Sequence, residues 1–151
     1  MTADSDRLES RATLRRWLET RGYELVSSIG PDPKAFGDVF DRLSRESVTV
    51  ELRSDRAIWD IAVGVTGDVP RPLRVWAVCL DLGVVPPEPS ETSLDRQVEW
   101  LRSNMPAIEV ACHPYRVEMT RECLDLTLRV LSLASFITLP LPDSARDIPE
   151  R

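Results

Sequence analysis

Cys112 and His113 are neighbours in the sequence, and two further cysteines lie at Cys79 and Cys123. A thiolate beside an imidazole base is the arrangement of nucleophilic catalysis, and cysteine and histidine are also ligands of structural zinc. His113 is the only histidine and no Cys-x-x-Cys spacing accompanies it, so the usual four zinc ligands are missing from the sequence. Adjacent side chains of an extended segment point apart, which places Cys112 poorly for using its neighbour as a base. We predict no metal, no cofactor and no catalytic residue, and we interpret Cys79 and Cys123 as small buried apolar side chains.

Two segments, VTVEL (48–52) and IWDIAVGV (58–65), alternate between apolar and polar residues, which is typical of half-buried strands. A tight turn with Asp55 and Arg56 at its centre would join them into a hairpin. In that register all inward pairs are apolar: Leu52 with Trp59, Val50 with Ile61, and Val48 with Val63. A slip of one residue would move Trp59 to the other face, so the alternation and the turn support the same hairpin.

The outward face of this hairpin carries the polar residues that we predict to bind a partner. The predicted register places Glu51 opposite Asp60 and Arg53 opposite Ile58, with Thr49 on the same face. Like charges directly opposite each other are unfavourable on a sheet, whereas two carboxylates in a cleft can divide a proton or hold a cation. On an open face they are simply solvated. We predict a partner-binding surface of Glu51, Asp60, Arg53 and Thr49 that suits a basic protein.

The remaining elements are read from apolar periodicity and from Gly, Pro and capping signals. Residues 23–30 fit a short strand or an extended connection, and residues 73–83 fit a short helix or a strand. Residues 115–135 favour a helix, although CLDLTLRVL also alternates with period two. The order is an N-terminal helix, an antiparallel meander of about three strands, and three or four helices. This order predicts an α+β fold whose helical C-terminal half packs on one sheet face, with a single domain over 1–139 and a flexible tail over 140–151.

Charge and composition argue against two classes of partner. The formal net charge is -6 and arginines are dispersed among acidic residues, whereas a nucleic-acid binder needs clustered cations to neutralise phosphates. The N-terminus has no apolar core for a signal peptide, and LSLASFITLPL (131–141) is too short to span a bilayer. An odd number of cysteines at unrelated spacings does not suit a secreted disulfide framework. We expect a cytoplasmic protein without nucleic acid or membrane partners, and the ratio of 18 arginines to one lysine suggests a bacterial, GC-rich source.

The segments FGDVFDRLSRESVTVELRSDRAIWDIAVG (36–64) and LDRQVEWLRSNMPAIEVAC (94–112) share a pattern whose most specific piece is SDRAIW (54–59). This pattern resembles one found in small uncharacterised actinobacterial proteins of the toxin-immunity type. The resemblance implies one α+β domain without catalytic residues that binds a protein. It carries over no individual functional position.

We therefore predict a non-enzymatic protein-binding module, immunity-like, that occludes a basic protein partner through an acidic surface. One alternative is a structural or sensor domain that forms a homodimer through a sheet edge or through the apolar C-terminal helix. The basis for this alternative is that residues 124–137 carry two apolar faces, more than one small core needs. The other alternative is a small-molecule enzyme that uses Cys112 with His113, or Glu51 with Asp60.

Overall fold

The protein folds as an N-terminal helix, a five-stranded antiparallel sheet and a helical C-terminal half, which confirms the predicted α+β class. The structure, a computed structural model, describes the backbone of residues 3–32, 34, 38–86, 88–90 and 93–138, and the side chains from residue 8 to residue 133 except at 32, 33, 35–37, 87, 91 and 92. The elements are α1 (Ala3–Thr20), β1 (Glu24–Asp32), β2 (Asp38–Arg45), β3 (Val48–Asp55), β4 (Ile58–Val65), β5 (Arg71–Pro72), α2 (Leu73–Cys79), α3 (Leu94–Ala111) and α4 (Val117–Thr138). The tail predicted over 140–151 lies outside the described residues.

The sheet is a simple meander in which each strand pairs with the next, in the order β1-β2-β3-β4-β5. It has two strands more than the predicted three. The segment left open at 23–30 becomes β1, and the two residues before α2 become β5. β3 is the central strand, as it is in the predicted meander, and β1 and β5 form the edges of the sheet.

The core lies between the inward face of the sheet and helices α1 and α3. Its fully buried side chains include Leu14, Leu18, Leu43, Val50, Ile61, Val63, Trp76, Leu101, Met105 and Ile108. The indole N–H of Trp76 donates to the Val63 carbonyl at 2.7 Å, so the largest core residue also has its polar atom satisfied. The inward pattern of the predicted hairpin is confirmed, because Trp59 and its alternating neighbours are all buried.

A buried ion pair fixes α1 to the sheet. Arg11 of α1 donates to both carboxylate oxygens of Asp41 on β2, at 2.6 and 2.8 Å, and also contacts the Ser28 hydroxyl at 3.2 Å and the Gly30 carbonyl at 3.3 Å. Ser28 donates to Asp41 at 2.6 Å. Burial alone would raise the pKa of Asp41, but the hydrogen bonds from Arg11 and Ser28 outweigh it and lower that pKa. This bidentate network sets the position of α1 across β1 and β2.

The register of the β3–β4 hairpin differs from the predicted one. Arg56 and Ala57, with φ of 50° and 66°, form the centre of the turn in place of Asp55 and Arg56. Moving the turn by one residue changes each cross-strand partner by two positions, so the pairs become Leu52–Ile61, Val50–Val63, Val48–Val65, Glu51–Ala62, Arg53–Asp60 and Asp55–Ile58. The buried faces are unchanged by a shift of two, but the predicted pairing of Glu51 with Asp60 is wrong. The observed register replaces a like-charge pair with an opposite-charge pair.

The outer edge of β4 is closed by three different groups. β5 pairs with Ala62 and Val63, and Ser90 forms an isolated bridge with Trp59. Between them the buried side chain of Gln97 accepts from the Ile61 N–H and donates to the Trp59 carbonyl, both at 3.0 Å. The side-chain amide of Gln97, on α3, therefore takes the place of a neighbouring strand. It satisfies backbone groups of β4 that would otherwise be buried without partners.

Candidate functional site

The four predicted partner-binding residues lie on the outward face of the sheet, but two of them are buried. Glu51 is 4% exposed and Thr49 is 7% exposed. Glu51 pairs with Arg42 across the strand at 3.4 Å, and Thr49 lies in a hydroxyl chain with Ser44 at 2.8 Å and Thr66 at 3.0 Å. Because β3 is a central strand, its neighbours cover both of these side chains. The expectation of an open acidic face is therefore wrong at Glu51 and Thr49.

Arg53 and Asp60 remain accessible at the end of the hairpin, and they pair with each other. The guanidinium of Arg53 lies 3.1 Å from the Asp60 carboxylate, and their side chains are 42% and 25% exposed. Burial raises the pKa of Asp60 above its usual range, and the charge and hydrogen bond of Arg53 only partly oppose that effect. The nearby Glu88 adds to the rise. The surroundings of Asp60 thus disfavour its ionised form despite the arginine.

Asp60 lines a cavity of about 340 Å³ between β4, α2, the proline-containing loop and α4. Glu88 and Arg74 lie at the same cavity and pair with each other, while the side chains of Pro72, Pro89, Leu73 and Leu131 supply apolar walls. Each carboxylate at the cavity already has an arginine of its own chain. A basic side chain could enter next to Asp60 only by competing with Arg53.

The structure separates the two members of the predicted Cys112–His113 pair. Cys112 is fully buried, and burial, followed by the charges of Asp68 and Glu109, raises the pKa of its thiol to about 12. The ring of His113 lies in solvent, where it stacks on Tyr115 with centroids 5.1 Å apart and its Nδ1 accepts from the Tyr115 N–H at 3.3 Å. The geometry brings no nucleophile and base together here. Among the residues that the structure describes, no group of three or more His, Cys, Asp or Glu side chains is arranged to hold a metal ion.

Cys79 and Cys123, which were interpreted as buried apolar residues, are half-buried and face each other. Their Sγ atoms lie 2.7 Å apart, and both are free thiols. Burial, followed by the hydrogen bond and charge of Cys123, raises the pKa of Cys79 to about 12. The sequence gave no signal for this contact, because the two residues are 44 positions apart in the chain and meet only through the packing of α2 on α4.

Four exposed apolar side chains form a stripe along one side of α4. We define the α4 stripe as Met119, Leu126, Val130 and Leu133, whose exposed fractions are 68%, 62%, 52% and 62%. The opposite side of the same helix is buried at Thr120, Leu124 and Thr127. Two charged residues, Glu122 and Arg129, are exposed on the helix surface beside the stripe. The helix over 115–135 is confirmed, and its second apolar face points away from the core.

No protein-family model, no curated protein and no solved structure matches this chain. Within the described part of the chain, no helix is both long enough and apolar enough to cross a bilayer.

Proposed function

We propose that the chain is a non-enzymatic protein-binding domain that acts as a homodimer, with the α4 stripe as the contact surface. The observation that carries this proposal is that four large apolar side chains, each more than half exposed, line one side of a helix whose other side is already packed. Water disfavours such a continuous apolar surface, and monomeric soluble proteins rarely keep one.

The spacing of the stripe is that of a helix-pairing surface. Met119, Leu126 and Leu133 recur every seven residues, and Val130 lies four residues after Leu126. In a heptad this assigns the first three residues to position d and Val130 to position a, with a β-branched residue beside leucines. An apolar repeat of this kind packs side chains of one helix between those of another.

The charges beside the stripe fit a second copy of the same helix in antiparallel orientation. Glu122 precedes Leu126 by four residues and Arg129 follows it by three. If two α4 helices cross antiparallel at Leu126, the carboxylate of each copy lies near the Arg129 guanidinium of the other, and the contact forms twice. In a parallel pair both charges would lie at position g, which faces position e of the partner, so Glu122 and Arg129 would not meet. The pattern is therefore self-complementary in one orientation, as a two-fold symmetric interface requires.

Sedimentation velocity of the full-length chain over a range of micromolar concentrations tests the proposal. We expect a dimer mass that gives way to monomer on dilution. Leu126→Glu should weaken association by at least about 100-fold, because burying a leucine contributes about 1.5–3 kcal/mol and each dimer buries two. Val84→Glu, which adds the same charge at an apolar residue 71% exposed in the loop after α2, is the matched control and should leave the mass unchanged.

Charge-reversal variants test whether the partner is a second copy of the chain. Glu122→Arg and Arg129→Glu should each weaken the dimer, and the double variant should restore it. A monomer at every concentration would overturn the proposal. A monomer in which Leu126→Glu also lowers thermal stability would overturn it too, and would indicate that residues 139–151 of the same chain cover the stripe.

A second candidate is the immunity-like function, in which a basic protein is occluded at the Asp60 cavity. The observation that favours it is that Asp60 and Glu88 line one cavity with apolar walls, which would receive the stem and head of a lysine or arginine side chain that displaces Arg53 from Asp60. Immobilised wild-type and Asp60→Lys proteins can be compared on one bacterial lysate at low and high salt. A basic protein held by the wild type alone and released by salt supports this candidate. Equal capture by both proteins removes the cavity from consideration.

A further inference from the structure

Cys79 and Cys123 form a contact that neither the core nor the α4 stripe requires. Cys79 is the last residue of α2, and Cys123 lies in the second turn of α4. Their Sγ atoms are 2.7 Å apart, and the Cys123 thiol also approaches the Cys79 carbonyl at 3.4 Å. The third cysteine, Cys112, is buried elsewhere in the core.

We propose that this pair is a modification site at which a peroxide or a low-molecular-weight disulfide closes a reversible Cys79–Cys123 bond. With hydrogen peroxide, one sulfur is oxidised to a sulfenic acid with release of water, and the second thiol then displaces the hydroxyl group as a second water. The two thiols together lose two electrons and two protons, and the peroxide accepts them. With glutathione disulfide the same bond forms by two exchange steps that release two molecules of glutathione.

Position and access both suit this reaction. A disulfide requires its two sulfur atoms to meet directly, and the side chains of Cys79 and Cys123 already contact each other between α2 and α4. Cys79 and Cys123 are partly exposed, so a small oxidant can reach them, whereas Cys112 is fully buried. The packing of α2 against α4 holds the second thiol in place for the closing step, which is intramolecular and therefore fast relative to a bimolecular encounter.

Either sulfur atom can be oxidised first, because each lies within reach of the other. Burial raises the pKa of the Cys79 thiol to about 12, which slows its reaction near neutral pH but does not change the product. The resulting bond would fasten α2 to α4 without using any residue of the α4 stripe, so the inference does not rest on the proposed homodimer.

The experiment uses the full-length protein, first reduced and then exposed to hydrogen peroxide or to glutathione disulfide. We expect the number of free thiols to fall from three to one and the intact mass to fall by two hydrogen atoms, with full reversal by dithiothreitol. Peptide mapping should recover Cys79 linked to Cys123. The melting temperature should rise by about 10 °C, because the bond closes a long loop of the unfolded chain.

Matched variants separate this reaction from general thiol oxidation. Cys112→Ser should behave as the wild type, whereas Cys79→Ser and Cys123→Ser should each abolish the mass loss and the rise in melting temperature. Leu126→Glu should still form the bond, which separates this inference from the homodimer. The inference is overturned if three thiols persist after oxidation, if the linked cysteines belong to different chains, or if Cys79→Ser shows the same mass loss.

Discussion

The turn between β3 and β4 allows a prediction about stability: whether glycine at residue 57 raises or lowers the free energy of unfolding depends on the hairpin register. Its central residues, Arg56 and Ala57, have φ of 50° and 66°, so both occupy the left-handed region that favours glycine. The turn is supported by Asp38, whose carboxylate accepts from the Arg56 N–H at 2.8 Å. Two-residue hairpin turns with both central residues at positive φ match the twist of the strands, and glycine is the preferred second residue. Replacing Ala57 with glycine should therefore stabilise the protein.

The magnitude follows from two opposing terms at Ala57. Holding a residue other than glycine in the left-handed region costs about 1–2 kcal/mol, and this strain disappears with glycine. Glycine also has more conformational freedom in the unfolded chain, which lowers the free energy of unfolding by about 0.5–1 kcal/mol. The free energy of unfolding should rise by about 0.5–1 kcal/mol, which for a domain of this size corresponds to an increase of about 1–4 °C in melting temperature.

Urea unfolding followed by tryptophan fluorescence, together with thermal melting, measures this change. The control is Ala62→Gly on the same hairpin, where the residue is buried in β4 and glycine should lower the free energy of unfolding. In the register predicted from the sequence, Ala57 is the last residue of the turn, outside its central pair, so it would not need a positive φ and glycine there should destabilise the protein. A lower stability for Ala57→Gly would therefore refute the observed register and the account of the turn.

Three further substitutions test the groups that hold the sheet and its cavity. Asp41→Ala should lower the free energy of unfolding by about 3–5 kcal/mol in urea, since it leaves Arg11 charged and buried, and an Arg11→Met/Asp41→Leu double variant should lose clearly less. Gln97→Leu should cost about 2–6 kcal/mol by the same assay, because it leaves two buried backbone groups of β4 without partners; an intact stability would contradict the role given to this amide. Asp60 has a raised pKa in the folded state, so its favourable contribution is present at low pH and is lost as pH rises through that pKa. The stability of Asp60→Asn relative to wild type should accordingly increase between about pH 4 and pH 7, and a flat difference across thermal melts at these pH values would contradict the effect of burial.

The sequence was sufficient to predict which hairpin residues point inward, but not which residues face each other. Alternation has a period of two, so a turn that moves by one residue shifts every partner by two and leaves both faces unchanged. Val50 is buried in either register. The pairing of Glu51 with Asp60 therefore depended entirely on the position of the turn, and the sequence signal for the turn did not distinguish Asp55–Arg56 from Arg56–Ala57.

The sequence could not predict the closure of the outward face because that closure is not local. Thr49 and Glu51 alternate with apolar residues, so the pattern predicts that they face solvent on a half-buried strand. In the structure Arg42 and Ser44 of β2 and Thr66, which follows β4, cover these two side chains. Contacts of this kind depend on the pairing between strands, and the alternation of a single strand does not encode that pairing.

Helix α4 shows that periodicity can identify the core-facing side of a helix without explaining why the other side is also apolar. Val117, Leu124, Leu128 and Leu131 recur at helical spacing, and the structure packs all four against the core. Thr120 lies on the same side, where its hydroxyl donates to the Ala111 carbonyl at 2.6 Å. Leu126 and the other residues of the α4 stripe lie in solvent. The core therefore accounts for one apolar side of α4, and only a contact outside the core, such as the proposed dimer, would account for the other.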